Sequence, residues 1–238
     1  MMTTNLESKI IEVQNLTKSY VKGTDEVYAL RNVNCSIKKG EFIAVMGPSG
    51  SGKSTFLQLL GALDKPSSGD ILFQGNTLKN LNDQDLSIFR RRNLGFVFQF
   101  FNLLPTMTAL ENTLLPLLLD GRSSHELKKK AENLLTTLGL GARMNHYPIQ
   151  LSGGQMQRVA IARALISDPM LILADEPTGS LDSQSGIEIL NLLSHLVKTE
   201  NQTLVMVTHD PSVAKWANRT LHIKDGQLIS DQTHSDKK

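Results

Sequence analysis

Phe42-Ile43-Ala44-Val45-Met46 runs directly into Gly47-Pro48-Ser49-Gly50-Ser51-Gly52-Lys53-Ser54-Thr55, and Phe56, Leu57, Leu59 and Leu60 follow at helical spacing. A short unbroken apolar run is the mark of a strand buried on both faces. The glycines end that strand, and the apolar residues behind them restart the chain as a helix. Glycines let backbone N–H groups turn inward around an anion, where side chains would otherwise stand in the way. The helix behind the loop presents its positive dipole end to the same place. Gly47 to Ser54 fits G-x-x-x-x-G-K-[ST], in which Lys53 offers a point charge to β- and γ-phosphates and Ser54 a hydroxyl to Mg²⁺. The buried strand before the loop and the helix after it are the context this pattern requires. Residues 47–55 are therefore expected to hold a nucleoside triphosphate with magnesium. Kinases, GTPases and ATPases share such a loop, so it leaves the reaction open.

The chain around this loop has 238 residues and a mass of 26.3 kDa, enough for one large domain or one domain with an inserted lobe. Its 40% hydrophobic and 20% charged residues are a globular composition. A net charge of +2 gives no global argument for a nucleic-acid partner. The single cysteine, Cys35, excludes an intrachain disulfide framework and fits a reducing compartment. The leucine-rich stretch at 114–119 is interrupted by Pro116 and is far shorter than the roughly 18–20 apolar residues needed to span a bilayer. The opening MMTTNLESKIIEV lacks a basic flank followed by an apolar core, so no secretory signal is expected. A cytosolic chain is expected, and any work at a membrane requires another protein to carry it there.

Residues 9–46 read as short strands, and 69–98 as further strands with a turn at Gly75. The segment 100–150 changes character: Leu127, Ala131, Leu134, Leu135 and Leu138 share one helical face, and the stretch extends to 165. It reads as a mostly helical lobe inserted into a sheet domain formed by 1–99 and 166–238. Residues 170–174 read as a buried strand, 186–198 as a helix and 204–207 as a strand. Residues 220–230 read as a hairpin turning at Asp225-Gly226, with a frayed polar tail after Ser230.

Leu171-Ile172-Leu173-Ala174-Asp175-Glu176 is a buried strand ending in two carboxylates. Asp175 is placed to hold Mg²⁺ through water, and Glu176 to polarise an attacking water. Leu151-Ser152-Gly153-Gly154-Gln155 puts a serine and two glycines ahead of a second helix, another start suited to an anion.

With this string the chain resembles the ATP-binding-cassette (ABC) ATPase family over nearly its whole length. The order is the phosphate loop, Gln99 after a strand, LSGGQ, the Asp175-Glu176 pair, Ser180-Leu181-Asp182, and His209 after a strand. The resemblance implies an α/β fold with a P-loop NTPase (RecA-like) core sheet, an N-terminal antiparallel β subdomain and an inserted α-helical subdomain. It implies a head-to-tail homodimer in which the LSGGQ of one copy, Ser152 to Gln155, closes on the ATP held by the other. It further implies that Tyr20 stacks on adenine, a core tyrosine being the alternative. Gln99 would contact Mg²⁺ and water, Asp182 would link the two sites, and His209 would contact the γ-phosphate. The catalytic set is then Glu176, His209 and Gln99, and the metal set Ser54, Gln99 and Asp175.

Members acting in DNA repair carry a long coiled-coil arm between the phosphate loop and LSGGQ, and only residues 56–150 lie there. Translation-type members carry two cassettes, and this chain has one. The stretch from Leu94 through Phe98-Gln99-Phe100-Phe101-Asn102-Leu103-Leu104-Pro105 to Leu117 looks like the lipoprotein-releasing and macrolide-exporter type of cassette. That likeness implies a separate permease chain, mechanotransmission across the membrane, and a place on the cytoplasmic face of the inner (cell) membrane. ATP-driven signalling or cell-division regulation without a transported substrate is the alternative. Arg90-Arg91-Arg92 reads as a solvated strand edge rather than a docking patch. Phe98, Phe100 and Phe101 suit a docking groove, and core packing accounts for part of their clustering.

Overall fold

The computed structural model describes residues 9–23 and 25–234, in two compact units. The first comprises Met1–Leu86 and Ser194–Lys238, the second Ser87–Leu193. The first eight residues, where most of the absent-signal reading falls, and the tail from 235 lie outside the described residues.

In the first unit, β1 (Lys9–Lys22) pairs antiparallel with β2 (Asp25–Lys38). Ile11, Val13, Leu16, Leu30, Val33 and Ile37 are buried along this ribbon. The alternation slips between Val13 and Leu16, where the register shifts and Asn15 takes a positive φ of 49°. β3 (Phe42–Met46) is buried along its length save Met46, as its apolar run requires, and leads through the glycine loop to α1 (Lys53–Leu60). β4 (Ser68–Phe73) lies on the other side of β1 and pairs with the short β5 (Asn76–Thr77), completing an antiparallel sheet.

The chain leaves the first unit within α2 (Asp83–Asn93), a helix where the sequence reads as strand. Leu86 is its one buried residue, so no apolar face repeats at helical period. Capping and charge define it instead. Asn82 Oδ1 accepts from Asp85 N at 2.9 Å, Asp83 and Asp85 occupy the first turn, and Arg90, Arg91 and Arg92 the last. Both charge placements complement the helix dipole. The arginine run is thus a helix end and not a strand edge. Arg91 donates to the Leu119 carbonyl, and Arg92 Nε lies 3.0 Å from Asp120 Oδ2.

In the second unit β6 (Leu94–Phe98) runs parallel to β7 (Leu171–Asp175), with Phe98 opposite Asp175. Between them come α3 (Ala109–Leu119), α4 (His125–Thr137) and α5 (Gly153–Leu165). Thr108 and Glu111 close a capping box on α3, and buried Asn112 ties that helix to the Leu104 N–H and carbonyl. α5 packs on β6 so closely that a Cβ on Gly95 would sit 2.6 Å from the Ala164 carbonyl oxygen.

The chain returns through α6 (Ser183–Glu200) to β8 (Thr203–Val207), α7 (Pro211–Ala214), β9 (Arg219–Lys224) and β10 (Gln227–Thr233). β8 and β9 flank β3 in parallel, and β10 folds back on β9. Asp225 and Gly226 have φ of 49° and 76°, as a two-residue hairpin turn of the right twist demands. The strand continues past Ser230 to Thr233, where fraying is expected from sequence. Arg219 holds it, donating to both oxygens of Asp231 at 2.7 Å and reaching Glu41 at 3.1 Å. A cleft of about 680 Å³ opens beside β3, lined among others by Phe42, Trp216, His222 and His234. Burial pushes the Cys35 thiol up to about 12, leaving it un-ionised at neutral pH. Among the described residues no helix is long and apolar enough to cross a membrane.

Candidate nucleotide site

The glycine loop is wedged between backbone segments that admit no side chain at two points. Gly47 has φ 152° and a Cβ there would fall 1.9 Å from the Ile223 carbonyl oxygen. Gly52, the left-handed N-cap of α1 at φ 104°, stands against the Ala29 carbonyl of β2. A left-handed residue with a Cβ costs roughly 1–2 kcal/mol before any clash. Gly52→Ala, whose Cβ would also lie 2.2 Å from that carbonyl, is therefore expected to lower Tm by roughly 5 °C or more. Gly50→Ala, strained at φ 76° but with open space around its Cβ, should lose about 2–4 °C. Thermal unfolding without nucleotide checks the ordering, and equal losses would count against the wedge.

Lys53 is buried at 7% exposure, and its Nζ donates to the carbonyls of Gly47 and Pro48 at 2.9 and 2.8 Å. The ammonium thus closes the loop across its own start. Ser54 is exposed, Thr55 half-buried, and the buried Ser51 Oγ has no hydrogen-bond partner. On β1, Tyr20 is 43% exposed, so it is not a core residue. Its hydroxyl donates to Asp64 at 3.0 Å, and the Lys18 ammonium stands 5.0 Å from the ring centroid. Lys18 also donates to Asp64 at 2.7 Å. Burial and the Asp64 carboxylate push the Tyr20 phenol up, so it stays a neutral ring. Lys18 and Asp64 orient this tyrosine. Their contact spans β1 and the segment after α1, and no local pattern announces it. His209 is exposed at the end of β8, next to Asp210, which caps α7 through the Ser212 N–H at 2.7 Å.

The second unit carries the other candidate residues. Asp175 ends β7, and Glu176 follows in a left-handed conformation at φ 45°. Backbone strain of this kind at a carboxylate is a pointer to function. A Cβ on Gly179 would lie 2.9 Å from the Gln99 amide nitrogen and 3.3 Å from Glu176 Oε2. A hydrogen-bond donor and a carboxylate oxygen are therefore brought to the same face of Gly179. Ser180 Oγ donates to the Gln99 carbonyl at 2.5 Å, fixing the start of that loop. Phe101 and Asn102 beyond it both have positive φ, and Arg163 of α5 donates to their two carbonyls. Burial lowers the pKa of that guanidinium, which remains charged.

Ser152 caps α5. Its Oγ accepts from Gln155 N at 3.3 Å while Gln155 Oε1 accepts from Ser152 N at 3.0 Å. The reciprocal box shapes the helix start and leaves the serine hydroxyl proton to donate elsewhere. Gly153 and Gly154 have a packing reason as well. A Cβ would meet Leu181 at 3.2 Å in the first case and Ser185 Oγ at 3.1 Å in the second. Asp182 is exposed and caps α6, accepting from Ser185 N at 2.9 Å and Ser185 Oγ at 2.7 Å. The Ser185 backbone bond, then its hydroxyl, hold the Asp182 carboxyl below the usual range.

The structure thus places Tyr20, the phosphate loop and His209 in the first unit, and Gln99, Ser152, Asp175, Glu176 and Asp182 in the second. Among the described residues no cluster of three or more His, Cys, Asp or Glu could cage a metal. Ser54 in the first unit, and Gln99 and Asp175 in the second, carry side-chain oxygens, the ligand type a hard cation takes.

The family model described as ABC transporter matches residues 30–179. The uncharacterized ABC transporter ATP-binding protein MJ0796 of Methanocaldococcus jannaschii is 50% identical over 227 residues, covering 94% of this chain and 97% of that protein. The solved dimeric post-hydrolysis state of the same cassette, bound to ADP and Pi, matches 95% of this chain and 100% of its own with a TM-score of 0.87. The lipoprotein-releasing system ATP-binding protein LolD of Syntrophus aciditrophicus is 44% identical over 93% of this chain and 99% of that protein. The macrolide export ATP-binding/permease protein MacB of Marinobacter nauticus is 50% identical over 93% of this chain, which spans 34% of that longer protein.

Proposed function

Because the chain belongs to the ABC transporter family, we propose that it is the ATP-binding and ATP-hydrolysing subunit of a transporter whose permease is a separate membrane chain. The observation that carries hydrolysis is that the Gln99 amide and the Glu176 carboxylate both pack against the same face of Gly179. A water held by this pair would donate to Glu176 and accept from Gln99, the polarisation that attack on a γ-phosphate needs. Residues 47–55 bind the ATP phosphates, Tyr20 stacks on the adenine and His209 contacts the γ-phosphate. Ser54, Asp175 and Gln99 are the residues that would hold Mg²⁺, which neutralises phosphate charge when bound. Residues 100–165 form the helical subdomain of the cassette. Two copies close head to tail, with Ser152 to Gln155 of each on the ATP of the other and Asp182 linking the sites. The solved MJ0796 dimer supports that assembly. Relatives named for lipoprotein release and macrolide export support an export or release type of mechanotransmission on the cytoplasmic face of the membrane.

Pairing one Ser152→Arg subunit with one Lys53→Ala subunit tests the head-to-tail arrangement. Both lesions then fall in one composite site, and the other stays intact. Equilibrium binding should give one ATP per mixed dimer, with hydrolysis-slowing substitutions present to hold it closed. Two damaged sites would mean that LSGGQ serves its own subunit's nucleotide.

A further inference from the structure

Gln157 lies outside the LSGGQ string, and its side chain is fully buried at 0% exposure. Its amide nitrogen donates to the Pro177 carbonyl at 2.6 Å and lies 3.4 Å from the Phe98 carbonyl. Phe98 is the residue immediately before Gln99, and Pro177 the one immediately after Glu176. One planar amide therefore bridges the backbone beside Gln99 to the backbone beside Glu176. Its oxygen has no hydrogen-bond partner and is buried. An apolar side chain of similar size would fill the space without burying an idle acceptor. What the glutamine supplies there, and an apolar residue would not, is the pair of N–H donors.

We propose that Gln157 is a positioning residue that sets the Gln99 and Glu176 loops at the spacing hydrolysis needs, acting through their backbone and touching no nucleotide. This rests on the reading of Gln99 and Glu176 as the water-handling pair. Two further contacts fit the assignment. Ser180 Oγ, from the loop after Pro177, bonds the Gln99 carbonyl, so the loops are joined at a second point. Gly153, at the start of the helix that carries Gln157, packs within reach of Phe101 and Leu181, one from each loop.

The test uses the full chain with Gln157→Leu, and with Gln157→Met should leucine fail to fold. ATP Kd and KM should stay within about twofold of the parent, while kcat falls about tenfold. In combination with Gln99→Ala, the double variant should lose clearly less than the product of the two single losses, since one of the two groups that Gln157 positions is already gone. A merely structural lesion would multiply the two losses. Amide hydrogen exchange supplies a readout independent of turnover. Phe101, Gly179 and Leu181 have backbone N–H groups bonded within the two loops. They should exchange about tenfold faster in the variant, while amides of α4 stay unchanged. A kcat within twofold of the parent, a fully multiplicative double variant, or unchanged exchange in either loop overturns the proposal. A parent chain with no ATP turnover defeats the ATPase reading instead, and the exchange measurement still decides whether Gln157 joins the loops.

Discussion

Glu176→Gln lowers ATP turnover by about 10²–10⁴-fold, the range expected when a positioned general base is removed, and leaves ATP affinity within about twofold. The amide keeps the size of the carboxylate beside Gly179 and the neighbouring Gln99 nitrogen. It cannot accept a proton from water, so the chemical step stalls with the nucleotide bound. The phosphate loop lies in the other unit and keeps its own contacts, chief among them Lys53 on the Gly47 and Pro48 carbonyls. Uncleaved ATP then holds two copies closed. Phosphate release gives the rate, and size-exclusion chromatography with and without Mg-ATP gives the assembly. A variant that stays monomeric under saturating ATP, with binding intact, counts against the two-ATP sandwich. Undiminished turnover counts against Glu176 as the base.

Lys53→Ala weakens ATP binding by about 10–100-fold. Hydrogen bonds to charged groups are worth about 1.5–3 kcal/mol, and roughly 1.4 kcal/mol is a factor of ten in Kd. From sequence the lysine belongs to a solvated anion site, but its side chain is 7% exposed and secures two loop carbonyls. Two losses therefore combine: the charge on the phosphates, and the tie across the loop. The lesion is local, since β3 and α1 keep their buried faces. Calorimetric titration with ATP measures the affinity, and the thermal shift produced by ATP should shrink with it. A folded variant with unchanged affinity would sink the assigned role of the loop.

The parts of the fold that were legible in the sequence are those with a strong local signature. The run 42–46 could only be a strand buried on both faces, and the glycine spacing behind it left one way on. Leu127 to Leu138 announced α4, and Asp225-Gly226 announced the last hairpin. α2 has no such signature, because capping and charge hold it, with a single buried residue to mark a face. At the candidate site, sequence order named Gln99, Glu176, Ser152 and Asp182, but not what holds them. Arg163 binds carbonyls of Phe101 and Asn102, some sixty residues distant in the chain. Gln157 left a faint trace, for it shares the buried stripe of α5 with Ala160, Ile161 and Ala164. A polar residue in such a stripe has a buried partner to find, and only the fold says which.

Trp216, half-exposed on the wall of the cleft beside β3, is the sole tryptophan of the chain. It sits just past α7, the short turn that follows His209. The protein's indole emission therefore comes from one known address. Water already reaches that ring, so a shift of the turn that seals or opens the cleft changes the polarity the indole senses. An unlabelled sample thus has a built-in optical gauge on the histidine side of the first unit. The second unit holds no tryptophan. Placing a new one there, in a background with Trp216 removed, would let the two units be followed one at a time.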